Sequence, residues 1–424
     1  MRGPRASELA QLVGGGLEVV EAAPGSGLPP GLPIAQPQSE EQVSELLRLA
    51  SQRRWRVDLR GGGTQPQWGP LGEPGDLVLA TTALNQLVEH EPGDLICVAQ
   101  AGMRLSDLQE RISRTPGYRQ RLMLDPPGGD GATLGGLVAT RASGPLRTRY
   151  GHMRDLLLGA RFVLADGTIA KTGGKVVKNV AGYDLDKLLV GSLGTLALVV
   201  QVALRLHPQA EARASVLLED VDAGTAAQFL VSLRTAPVVP SIVEVIWPDG
   251  VVLVQIDSTA EGAARQAEVA AGLNPRARIL DLAEASYWEE LLRSRPWERP
   301  GAVLGVSVPL TATRALLEFV EDQGALGEAV ALSLRGTIGA GELRISSQVA
   351  TLELVRETLE GWGGHTEIHR APDELRGLGS SPRDPVAQDL IRRVKRALDP
   401  DDILEPGRIS RTEPTSVAVV GTRG

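Results

Sequence analysis

The sequence predicts a mixed fold, α/β or α+β, because segments with strand and helix periodicity alternate along the chain. The clearest helix follows Ser39: residues 39–42 fit a capping box, and the apolar residues that come next share one helix face, Val43, Leu46, Leu47 and Ala50. Short apolar strands are expected at 56–59, 77–80 and 96–99, and then a helix that Ser106 caps. The Asp166-Gly167 dipeptide between two strand-like runs predicts a hairpin, and a strand is expected at 196–206.

A second block of strands and helices begins near residue 210, where glycine-rich loops become rare. It should contain a hairpin of 242–246 and 251–256, strands at 302–308, 329–335 and 342–346, and helices at 261–272, 311–323 and 350–360. A last helix is expected to begin at Pro385 after an Asp384 cap, with an apolar face of Val386, Leu390, Val394 and Leu398. Its basic cluster is expected to be a solvated helix face or a subunit contact: Arg392, Arg393, Lys395 and Arg396. We therefore divide the chain into a loosely ordered lead-in (1–38), a first domain (39–209), a second domain (210–383), a C-terminal helix and segment (384–410) and a tail (411–424).

Composition excludes several classes of protein. The 424 residues have a net charge of −8, which disfavours nucleic-acid binding. The single cysteine, Cys97, cannot by itself supply a disulfide, a zinc site of several thiolates or an iron–sulfur cluster, and it lies in an apolar run that predicts burial. No secretory signal and no apolar run of about 18 residues is visible, so we expect a soluble, cytoplasmic protein with no transmembrane segment.

Glycine is concentrated in four loops of the first half, Gly61–Gly63, 128–131, 135–136 and 191–194. A backbone N–H group approaches a phosphate closely only where no Cβ intervenes, and consecutive amides can form an anion-binding nest. Neither a Rossmann fingerprint nor a P-loop is present. Each loop alone is ordinary turn chemistry, but the four together predict a binding site for an elongated, multiply charged ligand.

These loops resemble the FAD-binding domain of the PCMH-type (vanillyl-alcohol-oxidase) flavoproteins. The resemblance rests on the run Arg60 to Thr64, on the run Thr133 to Gly136 with Ser143-Gly144 and Tyr150-Gly151, and on the run Gly191 to Thr195 before a strand. Within these flavoproteins, the chain most resembles the family of the FAD-binding E subunit of bacterial glycolate oxidase (glycolate dehydrogenase). This closer resemblance rests on residues 173–185, 395–400 and 405–409. In all, the resemblance covers about 37–208 and 390–410.

The resemblance implies an α+β fold in which two α/β subdomains hold FAD, an α/β cap domain covers the flavin, and the C-terminal segment returns to the FAD domain. It also implies which residues contact the cofactor. They are Arg60, Gly61, Gly62, Gly63, Thr64 and Gln65 at the diphosphate; Thr133, Leu134, Gly135, Gly136, Ala139, Ser143, Gly144, Tyr150 and Gly151 along the ribityl chain and ring; and Lys178, Asn179, Gly191, Gly194, Thr195 and Leu196 elsewhere in the cradle.

One departure from related flavoproteins concerns how the cofactor is attached, and three candidate residues concern the chemistry. Thr64 stands where covalent relatives have a histidine, so we expect non-covalent FAD. Oxidation of a 2-hydroxy acid needs a base, a cation for the carboxylate and a hydride acceptor. The candidate catalytic groups are Lys178, beside the family motif, and the pair His365 and His369, which composition places on a strand or loop. We expect no metal site there, and we expect Trp68 to serve packing.

The resemblance therefore implies a subunit of a multi-subunit glycolate oxidase. Its partners would be a larger FAD-binding subunit and an iron–sulfur subunit, through which the complex could lie at the inner membrane. Two alternatives remain at this point: a self-sufficient FAD-linked D-lactate or 2-hydroxy-acid dehydrogenase, and a non-catalytic FAD-containing relay or scaffold subunit.

Overall fold

The computed structural model describes residues 3–13, 16–24, 27–64, 68–70, 72–126, 128–175, 183–293, 302–324, 333–337, 340–345, 349–376 and 385–409. Helices and strands are mixed in it, and separate sheets build the two halves, which confirms the α+β class.

The first subdomain is a mostly parallel sheet of β1 (Glu18–Glu21), β2 (Pro33–Gln36), β4 (Leu77–Ala80) and β3 (Val57–Arg60), in that order. Helices α1 (Ala6–Leu12) and α2 (Glu40–Arg53) pack on it. Ser39 caps α2 as predicted, accepting a hydrogen bond from the Gln42 amide. The lead-in differs from the expected loose segment, because it supplies α1, β1 and β2, and Leu9 and Val13 lie in the core.

The second subdomain is an antiparallel sheet in the order β5 (Leu87–Glu91), β6 (Ile96–Gln100), β10 (Leu198–Arg205), β8 (Leu157–Val163) and β9 (Ile169–Gly173). The remaining elements in this part of the chain are α3 (Leu105–Ser113), β7 (Gln120–Arg121), α4 (Leu134–Thr140), α5 (Arg147–Tyr150), α6 (Met153–Leu156), α7 (Leu185–Leu189) and β11 (His207–Pro208). The hairpin at Asp166-Gly167 is present as predicted. The Ser106 cap is wrong, since Arg104 occupies the cap position and α3 therefore begins two residues earlier than predicted.

The second half contains one antiparallel sheet in the order β15 (Arg278–Ile279), β12 (Ala212–Leu218), β14 (Val251–Ser258), β13 (Ile242–Trp247), β17 (Ser333–Thr337), β18 (Ala340–Ile345), β16 (Ala302–Ser307) and β19 (His365–Arg370). Its helices are α8 (Ala223–Thr235), α9 (Ala260–Ala271), α10 (Leu282–Arg293), α11 (Thr313–Gly324), α12 (Val349–Gly361) and α13 (Asp373–Arg376). The predicted hairpin at 242–256 is confirmed.

The C-terminal helix α14 (Pro385–Leu398) leads back to the first half of the chain. Val394 and Leu398 pack against the core of the second subdomain, but Val386 and Leu390 are exposed, so only half of the predicted apolar face is covered. After the helix, Leu404 forms a parallel bridge with Val57 of β3. The C-terminal segment therefore extends the first subdomain. None of the described helices combines the length and the apolar character needed to cross a bilayer.

Candidate cofactor-binding site

The glycine loop after β3 is pressed against the loop before α4. A Cβ on Gly61 would lie 2.0 Å from Thr133 Oγ1, and a Cβ on Gly62 would lie 1.9 Å from the Gly131 carbonyl oxygen. Because Cβ atoms do not approach other heavy atoms that closely, only glycine allows the two backbones to meet. Gly63 has a φ of +66° and nothing within 4 Å of where its Cβ would be, so its backbone faces open space.

A cavity of about 340 Å³ lies beside these two loops, within the usual size range of ligand pockets, about 300–1,000 Å³. Its wall includes eight of the residues to which the sequence assigned cofactor contacts: Arg60, Gly61, Gly62, Gly63, Thr64, Thr133, Gly136 and Ala139. Residues separated by about 70 positions in the chain thus meet at one site.

The two predicted residues between Thr133 and Gly136 are not on the cavity wall. Leu134 is fully buried in the core of the second subdomain. Gly135 donates its N–H to the Ala101 carbonyl at 2.7 Å, and a Cβ on it would lie 3.0 Å from the Ala101 Cβ. These residues attach α4 to the sheet behind the cavity.

The residues predicted at the flavin ring are not on the cavity wall and contact other parts of the protein. Ser143 Oγ lies 2.9 Å from His152 Nδ1, and the Tyr150 ring meets the edge of the His207 ring at 4.9 Å. Gly144 lies so close to Asp125 that a Cβ would approach the Asp125 carbonyl oxygen to 2.0 Å, and Gly151 has a φ of +76°. Their assignment to the cofactor stays a prediction.

The loop at 191–196 contacts protein on most sides. The Gly191 amide donates to the Val138 carbonyl at 2.9 Å, Thr195 is fully buried, and Leu196 belongs to the core. Leu193 of this loop lines the cavity. A Cβ on the neighbouring Gly194 would lie 3.1 Å from a side-chain carbon of Leu59, another wall residue. The remaining predicted residues, Gln65, Lys178 and Asn179, lie outside the described part of the chain.

The wall also contains residues that sequence reasoning did not assign to the site, Asp58, Trp68, Arg376, Glu405 and Arg408. Glu405 and Arg408 belong to the run at 405–409, which contributed to the family resemblance but gave no role to either side chain. Arg376 comes from α13 of the second half and left no local signal.

Burial raises the pKa of two carboxyl groups in this wall, those of Glu405 and Asp58. Glu405 is enclosed beneath β3, where the Leu59 amide donates to its Oε1 at 2.7 Å. Burial raises its pKa, although the nearby Arg408 opposes the shift. Burial also raises the pKa of Asp58, against the Gly75 amide that donates to Asp58 Oδ2 at 3.3 Å. Both carboxyl groups lie beside arginines of the wall, and Arg408 Nε pairs with Glu405 Oε2 at 2.8 Å.

A third buried acid, Asp125, lies next to Gly144, one of the predicted ring contacts. Burial raises the pKa of Asp125 to about 7, and the charge of Glu244 on β13 adds to the effect. The Leu146 amide donates to both Asp125 carboxylate oxygens, at 3.2 and 3.1 Å. This carboxyl therefore supports the turn that enters α5, where the first half meets the sheet of the second half.

The candidate histidines lie on β19, as the flanking composition predicted. His365 is exposed, whereas the His369 ring stacks on Trp68 with centroids 4.2 Å apart. Between them Glu367 pairs with Arg141 of the first half, Oε2 to Nη2, at 2.7 Å. Trp68 packs in the core as expected, and it also stacks. In the described part of the chain, no three histidine, cysteine or carboxylate side chains are grouped as metal ligands would be.

The cavity residues fit a dinucleotide. The glycine backbone is open at Gly63, the two touching loops leave no room for added side chains, and the buried Trp68 Nε1–H has no acceptor among the described residues. A donor left unpaired in a buried position costs free energy unless a ligand accepts from it. Arg60 and the Gly61–Gly63 amides would hold such a ligand, and Thr64 and Thr133 would flank it.

Two family models match this chain. Residues 32–173 match the FAD binding domain, and residues 380–409 match the C-terminal domain of FAD linked oxidases. The first match ends at β9 and includes both loops of the cavity. The second includes the segment that returns to β3.

The sequence is also similar to individual proteins, among them dehydrogenases, an oxidase subunit and an FAD-linked oxidoreductase. The chain is 38% identical to a D-lactate dehydrogenase of Archaeoglobus fulgidus, over 42% of this chain but only 39% of that protein. It is 27% identical to an uncharacterised FAD-linked oxidoreductase of Mycobacterium tuberculosis, over 89% and 91% of the two chains. It is 26% identical to the glycolate oxidase subunit GlcE of Escherichia coli, over 76% of this chain and 84% of that subunit.

The solved structure of p-cresol methylhydroxylase has the same fold, with a TM-score of 0.69 at 16% identity, over 89% of this chain and 88% of that one. Because the likeness covers most of the chain, it extends beyond the segments that the family models match. The two matched segments are those of FAD-linked oxidoreductases, and the likeness to p-cresol methylhydroxylase shows the fold of the chain.

Proposed function

We propose that this chain is an FAD-binding subunit of a multi-subunit glycolate oxidase (glycolate dehydrogenase). Such a complex would oxidise glycolate, or a closely related 2-hydroxy acid, to the 2-oxo acid. The observation that carries the proposal is the glycine-lined cavity, in a chain whose similarity to subunit GlcE extends over 84% of that subunit. The larger FAD-binding subunit and an iron–sulfur subunit are the partners proposed with it, and association with the inner membrane would occur through them.

The residues of the chain supply binding and orientation. FAD, when bound, provides the hydride acceptor at flavin N5. Around it, the loop Gly61–Gly63 offers main-chain donors, and the stack of His369 on Trp68 joins the cap domain to the cavity wall. The Arg141–Glu367 ion pair makes a second connection between these halves. These contacts would keep water away from the cofactor while the substrate reacts.

Electrons taken up by the flavin must leave through another protein. An iron–sulfur cluster needs several thiolate ligands, and this chain has one cysteine, Cys97, which is fully buried. The surroundings of the thiol also oppose ionisation, since burial raises the pKa of Cys97 to about 12. A partner with its own cluster is therefore part of the proposal.

The test compares the chain alone with the chain co-expressed with candidate partners. We expect the lone chain to purify yellow, with about one FAD per chain, and to reduce an artificial dye poorly with glycolate. The complex should contain iron and turn over glycolate. A lone chain that oxidises glycolate or D-lactate robustly would contradict the subunit assignment, and a colourless preparation would contradict the flavin site.

A self-sufficient D-lactate or other 2-hydroxy-acid dehydrogenase is the second candidate. It is favoured by the 38% identity to the D-lactate dehydrogenase, which is confined to 42% of the chain. A substrate screen on the lone chain separates the two, because only this candidate predicts turnover without partners. A relay subunit, the third candidate, predicts an assembled complex whose activity survives removal of His365 or Lys178.

We also propose that the FAD is bound without a covalent link. Thr64 lies in the cavity wall, and neither its hydroxyl nor the buried Cys97 thiol provides the nucleophile of a flavin linkage. Acid precipitation of the yellow protein should therefore release all the flavin, and the supernatant should contain intact FAD by chromatography. Yellow colour retained in the washed pellet would contradict this prediction. A parallel sample digested with protease serves as the control for complete extraction.

A further inference from the structure

We propose that Arg376 and Arg408 form an oxyanion-binding pair that holds the diphosphate of FAD. The inference rests on the proposed FAD site and deepens it, since neither arginine belongs to the glycine motifs. Arg376 is the last residue of α13 in the cap domain, and Arg408 lies in the C-terminal segment. Both line the cavity together with the loop Gly61–Gly63.

The two guanidinium groups are anchored to consecutive carbonyls of one short segment. Arg408 Nη1 donates to the Trp68 carbonyl at 3.0 Å, and Arg376 Nε donates to the Gly69 carbonyl at 3.1 Å. Because the two carbonyls belong to adjacent residues, Trp68 and Gly69, these hydrogen bonds hold the two arginine side chains next to each other. Gly72 also makes room for this arrangement, because a Cβ on it would lie 3.0 Å from the Arg408 Cγ.

Each guanidinium keeps donors that the described contacts do not use. Arg376 Nη1 donates to Asp373 Oδ1 at 3.1 Å, and Arg408 Nε lies 2.8 Å from Glu405 Oε2. Together with the carbonyl contacts, these account for two of the five N–H donors on each side chain. The free donors belong to side chains that are only 7% and 18% exposed, so water satisfies them poorly.

The positive charges of Arg376 and Arg408 also favour the binding of an anion between them. Burial lowers the pKa of Arg376, and the positive charge of Arg408 lowers it further, so the two groups repel each other. The carboxylate partner of Arg376, Asp373, is 70% exposed, so solvent screens its charge. Two buried like charges are costly unless a counter-charge lies between them. A diphosphate supplies two negative charges and several acceptor oxygens.

The diphosphate fits better than a substrate carboxylate because of what else lines the cavity. The Gly61–Gly63 loop is the segment where main-chain amides can approach phosphate closely. Trp68, whose carbonyl anchors Arg408, lines the same wall. Planar guanidinium groups also match the paired oxygens of a phosphate. Because Arg376 belongs to the cap domain, cofactor binding would fasten the cap to the FAD domain.

The test measures ligand affinity on the full-length apoprotein. Arg376→Gln and Arg408→Gln each keep an amide donor for the anchoring carbonyl but remove the charge. We expect each variant to bind FAD about 10- to 100-fold more weakly, the range for one charge-assisted hydrogen bond, and to bind ADP more weakly by a similar factor. Riboflavin, which has no phosphate, should bind equally to all forms.

Arg356→Gln is the matched control. Arg356 is a buried cap arginine on α12, 9% exposed, that pairs with Glu353 and does not line the cavity. Its variant should bind FAD like the wild type. Inorganic pyrophosphate should raise the melting temperature of the wild-type apoprotein but not that of Arg408→Gln. If a glutamine variant does not fold, Arg376→Lys, which keeps the charge, should bind FAD with intermediate affinity.

Three outcomes would overturn the inference while leaving the flavin site intact. They are wild-type FAD affinity in both glutamine variants, weaker binding of riboflavin with ADP unchanged, and loss only of glycolate binding to the FAD-loaded protein. The last would make the pair a site for the substrate carboxylate. If the wild-type protein binds no FAD at all, the proposed function itself fails.

Discussion

Replacing Lys395 with methionine should lower the free energy of unfolding by about 3–5 kcal/mol, the cost of removing one partner from a buried ion pair. Lys395 lies on α14 with its side chain 5% exposed. Its ammonium donates to Asp399 Oδ2 at 2.5 Å and to the carbonyls of Thr195 and Leu404 at 2.8 and 2.9 Å. Methionine fills similar space but leaves the Asp399 carboxylate without its cation.

The expected loss is large because Asp399 also organises the chain that follows. Its carboxylate accepts from the amides of Ile403 and Leu404 at 3.1 and 2.8 Å, and these residues lead directly to the bridge with β3. Urea denaturation of the apoprotein measures the effect. Arg396→Met, on the exposed side of the same helix, is the control and should change stability by less than about 0.5 kcal/mol. Equal stability of the two variants would show that α14 does not need this pair.

The second large effect is expected at the glycine loop. In Gly62→Ala, the added Cβ would lie 1.9 Å from the Gly131 carbonyl oxygen, and because that neighbour is backbone, the two loops must separate. Overpacking of this kind costs about 1–3 kcal/mol of stability. Since the same loops form the cavity wall, FAD affinity should fall at least about tenfold, which corresponds to 1.4 kcal/mol.

Fluorescence titration with FAD and thermal unfolding of the apoprotein together measure the Gly62→Ala effect. Gly93→Ala is the control, because nothing lies within 4 Å of where that Cβ would be and the residue lies in a turn far from the cavity. It should bind FAD and unfold like the wild type. Normal FAD affinity in Gly62→Ala would mean that the contact between these loops does not shape the cofactor site.

Much of the local structure could be predicted from the sequence, because its causes are local. The Ser39 cap, the Asp166-Gly167 turn and the strand character of 365–369 depend on residues within a few positions of one another. The predicted Ser106 cap was wrong because the start of α3 depends on a distant residue. The Leu105 amide donates to the Ala132 carbonyl, and this tertiary contact sets where the helix begins.

The burial of Lys395 likewise could not be predicted from the residues around it. By sequence it belongs to a basic helix face that should be solvated, yet it is buried, because the carbonyl of Thr195, 200 residues earlier, lies at its ammonium. Half of the opposite, apolar face is in turn exposed at Val386 and Leu390. The polarity of a helix predicts which residues share a face, but packing against distant segments decides which face is covered.

The amino-acid sequence alone predicted the α+β class, the FAD-binding domain and the loop Gly61–Gly63, since each depends on short runs of residue types. Only the tertiary structure decided that Arg376 and Arg408 meet at the cavity and that His369 stacks on Trp68. The contacts that place the two arginines connect residues 307 and 340 positions apart. Such side chains have no periodicity or neighbouring motif to mark them, because burial and partner charges exist only after the separate sheets have packed together.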